Sequence, residues 1–280
     1  MTFSIVGHLV DPADGKTVSL GVAVASKFLA VGSAVPAAAA EVGAIATQAF
    51  ANLAYRPDGL RLLREGRSAQ ETLEALTAAD EGRDQRQAGI VDRSGRSATF
   101  TGPGCHDWAG GRTGAGYAVQ GNILTGPDVV GATERAWLAS EGRLADRLVA
   151  ALAAGDDAGG DSRGRQSAAL LVVRAGGGYG GTSDVEVDLR VDDHAAPVPE
   201  LQRLLDLHRL YFDQPDPATL LPLEGNLAEE VRTHLGALGF DTLEDWAGVE
   251  NYEERMVAGQ IDPLVLGKLR EAAAAAGADA

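Results

Sequence analysis

The chain has 280 residues, of which 45% are hydrophobic and 23% charged, a composition typical of folded globular proteins rather than disordered or membrane-spanning ones. Its 40 acidic and 24 basic residues give a formal net charge of −16, which repels the phosphate backbone of nucleic acids. No apolar run approaches the roughly 20 residues that span a bilayer. We therefore expect neither nucleic acid nor a membrane as a partner.

The chain carries one cysteine, Cys105, so no disulfide can form within it and nothing indicates an oxidising compartment. Its Gly-rich surroundings offer no second reactive group, and we interpret Cys105 as an ordinary thiol. The first residues lack the basic region and apolar stretch of a secretory signal. We expect a cytoplasmic protein.

The first third of the chain predicts strands followed by two helices. Residues 3–10 and 17–25 are rich in Val, Ile and Leu and are joined by DPADGK, whose turn residues indicate a hairpin. VGAIATQAF (42–50) is typical of a strand in a sheet covered on both faces. The helices are 57–66, started by Pro57, and 68–80, where Ser68 and Glu71 have the spacing of a capping box.

The same order then recurs. A hairpin over 85–102 turns at Ser-Gly, and a strand follows at 116–124. Residues 127–155 have apolar positions at three- and four-residue spacing, which predicts a second helix pair, and 165–191 predicts two strands around a glycine tip. Strand groups that alternate with helix pairs favour layered packing over a doubly wound parallel sheet. We predict an α+β fold, a four-layer αββα sandwich of two sheets between two helical layers.

The remainder predicts a small all-α module. The stretch 198–212 is an amphipathic helix, and the Pro-rich segment after it indicates a linker. We divide the chain into a sandwich domain at 1–212, a linker at 213–224 and a helical module at 225–280. The alanine-rich stretch PAAAA (36–40) is interpreted as low in complexity.

The opening MTFSIV raises a chemical question. Removal of Met1, which precedes a small residue, would leave Thr2 with an α-amine beside its own hydroxyl. An amine of pKa about 8 can take the hydroxyl proton, so one residue would supply both nucleophile and base. The alternative is that threonine is common after Met1 and has no chemical role here.

Further polar residues at strand ends fit such a site. A cation at Lys27 would lower the pKa of a neighbouring amine by like-charge repulsion, although a solvated strand end explains it equally well. Gln48 and Asn122 are candidate side-chain donors to a tetrahedral oxyanion, beside backbone amides of their strands. The alternative is that both amides are simply satisfied within the fold.

Six motifs, in order over residues 1–212, resemble the bacterial DUF1028 family: MTFSIV, GVAVASKFLAVG, GAIATQA, GYAVQGNILTG, GGDSRGRQSAALLVVR and VDLRVDDH. That family is similar in fold to the N-terminal nucleophile (Ntn) hydrolases, the αββα enzymes that include proteasome β subunits and glycosylasparaginase. The resemblance implies an Ntn-type amidohydrolase with Thr2 as nucleophile. It also implies that Ser26 or Lys27 orients the site and that the backbone near Gln48 forms the oxyanion hole.

Asp161 matches the aspartate of the proteasome motif D-x-x-S-G-G, whereas the Ser-Gly-Gly of that motif is absent. The Asp-Arg pattern of this segment, which includes Arg165, indicates instead a charged floor that pairs with a substrate carboxylate. Strand alternation puts Asp188, Arg190 and Asp192 on one face, where the arginine neutralises the carboxylates rather than leaving them for a cation. We predict no metal and no cofactor. The candidate substrate-binding residues are Ser26, Arg165, Ser167, Arg190 and Asp192.

Residues 227–270 resemble a peptidoglycan-binding-like module that often trails this family, with Trp246, ENYEER and a helix start at IDP. Without an export signal we favour a packing or dimer role for it. The sequence thus predicts a hydrolase that acts as a homo-oligomer, a dimer, on a small polar amide or peptide. The alternative is a non-catalytic small-molecule-binding or assembly protein on the same sandwich.

Overall fold

A computed structural model describes residues 2–278, and the chain divides into two compact units with the boundary in the sequence between Leu205 and Asp206. The strands of the first unit are β1 (Thr2–Val10), β2 (Val18–Ser26), β3 (Pro36–Ala39), β4 (Gly43–Ala49), β5 (Arg86–Asp92), β6 (Ser97–Thr101), β7 (Gly110–Gly114), β8 (Tyr117–Asn122), β9 (Ser167–Arg174) and β10 (Val185–Val191). The helices that begin in it are α1 (Val31–Ala34), α2 (Tyr55–Arg64), α3 (Ala69–Ala78), α4 (Pro127–Ala139), α5 (Leu144–Asp157) and α6 (Pro197–Phe212).

The strands of the first unit form two antiparallel sheets. One has the order β10-β9-β2-β1-β8-β7 and the other the order β3-β4-β5-β6. Helices α4 and α5 cover the six-stranded sheet, α2 and α3 cover the four-stranded sheet, and β1 and β8 face β4 and β5 between them. The predicted four-layer αββα sandwich is confirmed.

Alternation along β1 decides which side chains enter the space between the sheets. Phe3 and Ile5 belong to the core against the helical layer, whereas Val6 belongs to the core between the sheets. Successive side chains of a strand point to opposite faces, so Thr2 and Ser4 share the inter-sheet face with Val6. All five side chains are buried.

The predicted capping box at the start of α3 is present. Ser68 Oγ accepts a hydrogen bond from the Glu71 amide at 3.2 Å, and the Glu71 carboxylate accepts one from the Ser68 amide at 2.8 Å. Helix α2 begins at Tyr55, two residues before Pro57. Proline in the first helical turn removes only an amide that has no intrahelical partner, so it does not mark the first residue.

Two strands differ from the sequence-based predictions. Residues Pro36–Ala39, interpreted as low in complexity, form β3, and the Gly-rich Gly110–Gly114 forms β7. Both lie at a sheet edge, where pairing on one side suffices. Their backbone groups provide that pairing without a hydrophobic side-chain pattern.

The second unit is helical apart from one pair of short strands. Its elements are α7 (Gly225–Leu238), α8 (Leu243–Val249) and α9 (Pro263–Ala278), with β11 (Leu221–Pro222) paired to β12 (Gln260–Ile261). Trp246 is buried at its core, and its ring lies 5.5 Å from that of Tyr252. Strand β11 falls inside the segment 213–224 that the proline content indicated as a linker. Across residues 2–278, no helix combines the length and apolar character needed to cross a bilayer.

Candidate functional site

Thr2 begins β1, which lies between β2 and β8 in the six-stranded sheet. Its register partner on β8 is Asn122, and its Oγ1 lies 3.0 Å from Ser26 Oγ at the end of β2. Thr2 is 6% exposed and Ser26 2%. The two hydroxyls therefore form a hydrogen-bonded pair at one end of the central strands, largely shielded from water. Met1 lies outside the described residues.

The carbonyl oxygen of Thr2 accepts hydrogen bonds from two side-chain amides. Gln48 Nε2 donates to it at 3.2 Å and Asn122 Nδ2 at 3.5 Å. The same nitrogens also donate to Gln87 Oε1, each at 2.8 Å. These amide hydrogens are thus used inside the protein, and the structure places Gln48 and Asn122 as supports for the Thr2 backbone rather than as oxyanion donors.

Behind Thr2, five buried polar side chains fill the space between the sheets, and we call them the amide network: Ser4, Gln48, Gln87, Gln120 and Asn122. Gln120 Nε2 donates to Ser4 Oγ at 2.6 Å, and Ser4 Oγ donates to Gln48 Oε1 at 2.7 Å. Gln87 Nε2 in turn donates to the carbonyl of Gly121 at 2.7 Å. Because each donor has an acceptor, the polar groups are satisfied without water and each amide is held in one orientation.

Glycine makes room for this network at one position. A Cβ built on Gly89 of β5 would lie 1.9 Å from Gln120 Oε1. No side chain fits there while Gln120 holds its place. The close approach of β5 to β8 therefore depends on a residue without a side chain.

The chain bends immediately after both amides that hold Thr2. Ala49, which follows Gln48, has φ 67°, and Ile123, which follows Asn122, has φ 50°. A β-branched residue in the left-handed region is uncommon and costs conformational energy. The surrounding structure holds these bends, which end β4 and β8 beside Thr2.

Asp161 lies beside the end of β2, where it accepts the amide of Lys27, the residue after Ser26. Its Oδ2 accepts the Lys27 amide at 2.7 Å, and its Oδ1 accepts the Arg163 amide at 2.9 Å. Arg163 Nη2 also lies 3.2 Å from Oδ2. The Asp161 side chain is 3% exposed, so a carboxylate with fixed partners is built into this end of the sandwich.

The side chain of Lys27 forms its hydrogen bond with Arg165 and not with Asp161. It is exposed, and its Nζ donates to the carbonyl of Arg165 at 3.2 Å. The hydrogen bond from Lys27 to Asp161 therefore comes from its backbone amide. Arg165 directs its guanidinium Nε to both carboxylate oxygens of Asp156 at 2.8 Å, which raises the pKa of the arginine and uses its charge within the protein.

Ser167 is paired with Ser26 in the sheet and is fully buried. Its hydroxyl donates to the carbonyl of Phe28 and accepts from the Val31 amide at 3.1 Å, so it ties down the turn that follows β2. Its role in the fold is to shape the chain next to the hydroxyl pair.

Two residues predicted to bind substrate have other contacts. Arg190 on β10 pairs with Asp188 at 3.0 Å, the neutralisation that strand alternation indicates. Asp192 has an exposed side chain, and its carbonyl accepts the Ala30 amide at 2.9 Å. No hydrogen bond joins either residue to the Thr2 hydroxyl pair within the described part of the chain.

The model of the family described as "Family of unknown function (DUF1028)" matches residues 2–201. The crystal structure of protein SPO2555 from Silicibacter pomeroyi, assigned to the same family, is similar to this chain, with 31% sequence identity and a TM-score of 0.66. The match covers 82% of this chain and 89% of the SPO2555 chain. This chain belongs to the DUF1028 family. A model described as "Putative peptidoglycan binding domain" matches residues 211–269 of this DUF1028 protein. The search of curated proteins found no match to the chain.

Sequence reasoning alone did not identify three members of the amide network in the DUF1028 domain: Ser4, Gln87 and Gln120. Each interrupts an otherwise apolar buried strand, and that interruption is the signal that could have revealed them. The partner of each lies on another strand, however, which a strand pattern does not specify.

The Cys105 thiol and the candidate metal ligands among the described residues do not form an alternative reactive site. Burial raises the pKa of the Cys105 thiol, which keeps it protonated near neutral pH. Between residues 2 and 278, no group of three or more His, Cys, Asp or Glu side chains is placed to hold a metal ion.

Proposed function

We propose that this DUF1028 protein is an Ntn-type amidohydrolase that cleaves a small polar amide or peptide bond, with Thr2 as its nucleophile once Met1 is removed. The observation that carries the proposal is the placement of Thr2, whose buried Oγ1 lies 3.0 Å from Ser26 Oγ at the start of the central strand. The amides of Gln48 and Asn122 support its carbonyl. A nucleophile needs such a fixed, partly desolvated hydroxyl.

In the proposed reaction, Thr2 Oγ1 bonds to the carbonyl carbon of the substrate amide. The hydroxyl proton passes to the α-amine of Thr2 and then to the leaving nitrogen as the C–N bond breaks. Water then adds to the acyl ester on Thr2, its proton goes by way of the amine to Oγ1, and the free acid leaves. Each cycle consumes one water and regenerates the hydroxyl.

The neighbouring groups would assist this chemistry. Ser26 would hold Oγ1 in position, and the Asp161 carboxylate would stabilise the amine while it carries the proton. The developing oxyanion would be held by a backbone amide near Gln48, since the side-chain amides serve Thr2 itself. The family resemblance supports the reaction class by analogy of fold only.

Intact mass and one substitution test the proposal. The purified protein should lack Met1, and Thr2→Ala should lower kcat/KM on a panel of small amides and dipeptides by about a thousandfold or more, because the nucleophile is lost. Thr2→Ser should retain measurable turnover. Thr113→Ala, at an exposed position of β7, is the matched control and should leave turnover unchanged. Retained Met1, or turnover that survives Thr2→Ala, would contradict the proposal.

A second candidate is a non-catalytic small-molecule-binding or assembly protein on the same sandwich. It is favoured by the use of the Gln48 and Asn122 donors on the Thr2 carbonyl, which leaves no side-chain amide of this pair for an oxyanion. Absence of hydrolysis across the panel, together with saturable binding of a panel member, would support it.

We further propose that the protein acts in the cytoplasm as a homodimer on a small molecule or peptide. A single cysteine suits a reducing compartment. If residues 211–269 bound the cell wall, the protein would instead be located outside the cytoplasmic membrane. Cell fractionation tests the location and light scattering the dimer.

A further inference from the structure

A cavity lies at the end of β1 that is remote from Thr2. It has a volume of about 770 Å³, is open to solvent, and is lined by the turn between β1 and β2, the loop between α4 and α5, and the facing ends of β9 and β10. Leu9, which lines it, is seven residues along the extended strand from Thr2, a separation of about 24 Å. The cavity is thus distinct from the candidate site, and its volume is typical of small-molecule sites.

Three arginines and three acidic residues line the cavity. Arg143 and Arg174 each lie 3.2 Å from the carboxylate of Glu186, which is 11% exposed. Glu186 therefore forms ion pairs with both arginines. The other two acidic residues of the lining are Glu141, which is exposed, and Asp11, which is half-buried and accepts the Ala13 amide through its Oδ1.

A third arginine, Arg147 on α5, lines the same cavity. Its guanidinium lies 4.2 Å from the centre of the Trp137 ring. Nε donates to Ser140 Oγ at 3.3 Å and Nη2 to the Trp137 carbonyl at 3.1 Å. Among the described residues, no carboxylate lies within ion-pair distance of it.

The guanidinium of Arg147 is therefore held in one place by the neutral groups of Trp137 and Ser140, while the charge of Glu141 acts on it from beyond ion-pair distance. Its Nη1 makes no hydrogen bond with the described part of the protein. Burial lowers the pKa of Arg147, which reflects the cost of keeping its charge away from water. A bound anion would offset that cost, and a planar guanidinium with an unused edge suits a carboxylate or phosphate group.

We propose that this cavity binds a small organic anion, a carboxylate or phosphate monoester. Its charged group pairs with Arg147, and its apolar part lies against Leu9, Val10 and Leu144. In a chain of net charge −16, a guanidinium that lines a cavity and is held by neutral groups gives such a ligand a defined place to bind. Anion binding in this cavity does not require hydrolysis at Thr2.

Isothermal titration calorimetry with phenyl phosphate and phenylacetate, in a buffer without other carboxylates or phosphate, tests the proposal. The two probes distinguish a phosphate site from a carboxylate site, and benzyl alcohol is the neutral probe. At least one anion should bind saturably and more tightly than benzyl alcohol. Arg147→Gln should weaken that binding tenfold or more, because the paired charge is lost.

Arg61→Gln is the matched control, since it removes an equal charge from an exposed position on α2, and binding should stay within about twofold of the unsubstituted protein. Thr2→Ala should also leave binding unchanged, which locates the ligand away from the candidate site. If Arg147→Gln does not fold, Arg147→Lys keeps the stem over Trp137 and should still weaken binding about threefold or more. Absence of saturable binding by both anions, equal affinity for benzyl alcohol, or equal losses in the Arg147 and Arg61 variants would overturn the proposal.

Discussion

Gln87 organises the amides around Thr2. Its Oε1 accepts from Gln48 Nε2 and Asn122 Nδ2, both at 2.8 Å, while its Nε2 donates to Thr101 Oγ1 at 2.9 Å. The acceptor of Gln87 thereby keeps the NH₂ ends of both neighbouring amides turned toward the Thr2 carbonyl. A residue that does not contact the Thr2 hydroxyl thus decides how the backbone beneath it is supported.

Gln87→Met should destabilise the protein, because it removes the acceptor and the donor but keeps a side chain of similar length. Each buried amide hydrogen left without a partner costs about 1–3 kcal/mol, and two are affected. Urea unfolding should show the loss as a lower midpoint. Gln70→Met, at an exposed position of α3, is the matched control and should change the midpoint little. Equal midpoints for the two variants would show that the network does not contribute to stability.

Gln48 and Asn122 could be nominated from the sequence because each is a polar residue at the end of an apolar strand. Their roles could not, since the groups they serve lie on β1 and β5, distant in the chain. Hydrogen-bond partners depend on three-dimensional neighbours. The sequence therefore could not show that these two side-chain amides, predicted as oxyanion donors, donate to the Thr2 carbonyl instead.

At the scale of elements, local signals were reliable where the interaction itself is local. Ser68 caps α3 through contacts only three residues apart, and those contacts are present. Strands β3 and β7 have no such local signal, because edge strands are stabilised by backbone pairing to a neighbour.

Ser68→Ala should lower the free energy of unfolding by about 1 kcal/mol, since both the side-chain acceptor for the Glu71 amide and the capping box are lost. Thermal and urea unfolding followed by circular dichroism measure it. Ser94→Ala, in the exposed turn between β5 and β6, is the control and should stay within about 0.5 kcal/mol of the unsubstituted protein. A loss no larger than that of the control would mean that α3 does not depend on its cap.

At the scale of the whole molecule, the excess of acidic residues makes stability sensitive to low pH. Several carboxylates have partners that favour their charged form, and Asp80 is the clearest. It accepts from Arg86 Nε at 2.9 Å, from Asn52 Nδ2 at 3.0 Å and from the Gly82 amide at 2.8 Å. The Arg86 hydrogen bond is the main reason that the pKa of Asp80 lies well below its usual range.

Because the pKa of Asp80 is lower in the folded than in the unfolded chain, its contribution is fully present above about pH 4 and is lost as the pH falls further. Asp80→Asn should therefore lower the melting temperature at pH 7 and show a smaller further decrease on acidification. Melting curves at a series of pH values between about 7 and 2 measure both effects. The exposed Asp241→Asn is the control and should follow the unsubstituted protein. If Asp80→Asn ran parallel to the unsubstituted protein at every pH, the stabilising role of Asp80 would be ruled out.

The sequence alone predicted the order of the main strands and of the two helix pairs, the αββα layering and Thr2 at the head of a buried strand, but not β3, β7 or β11. Periodicity and capping act over two to four residues, so they can be recognised without coordinates. Only the tertiary structure decided that Ser4, Gln87 and Gln120 join Gln48 and Asn122 between the sheets, and that Arg147 lies in a cavity at the far end. Those arrangements depend on sheet register and on close approach across layers, which bring together residues that are far apart in the chain.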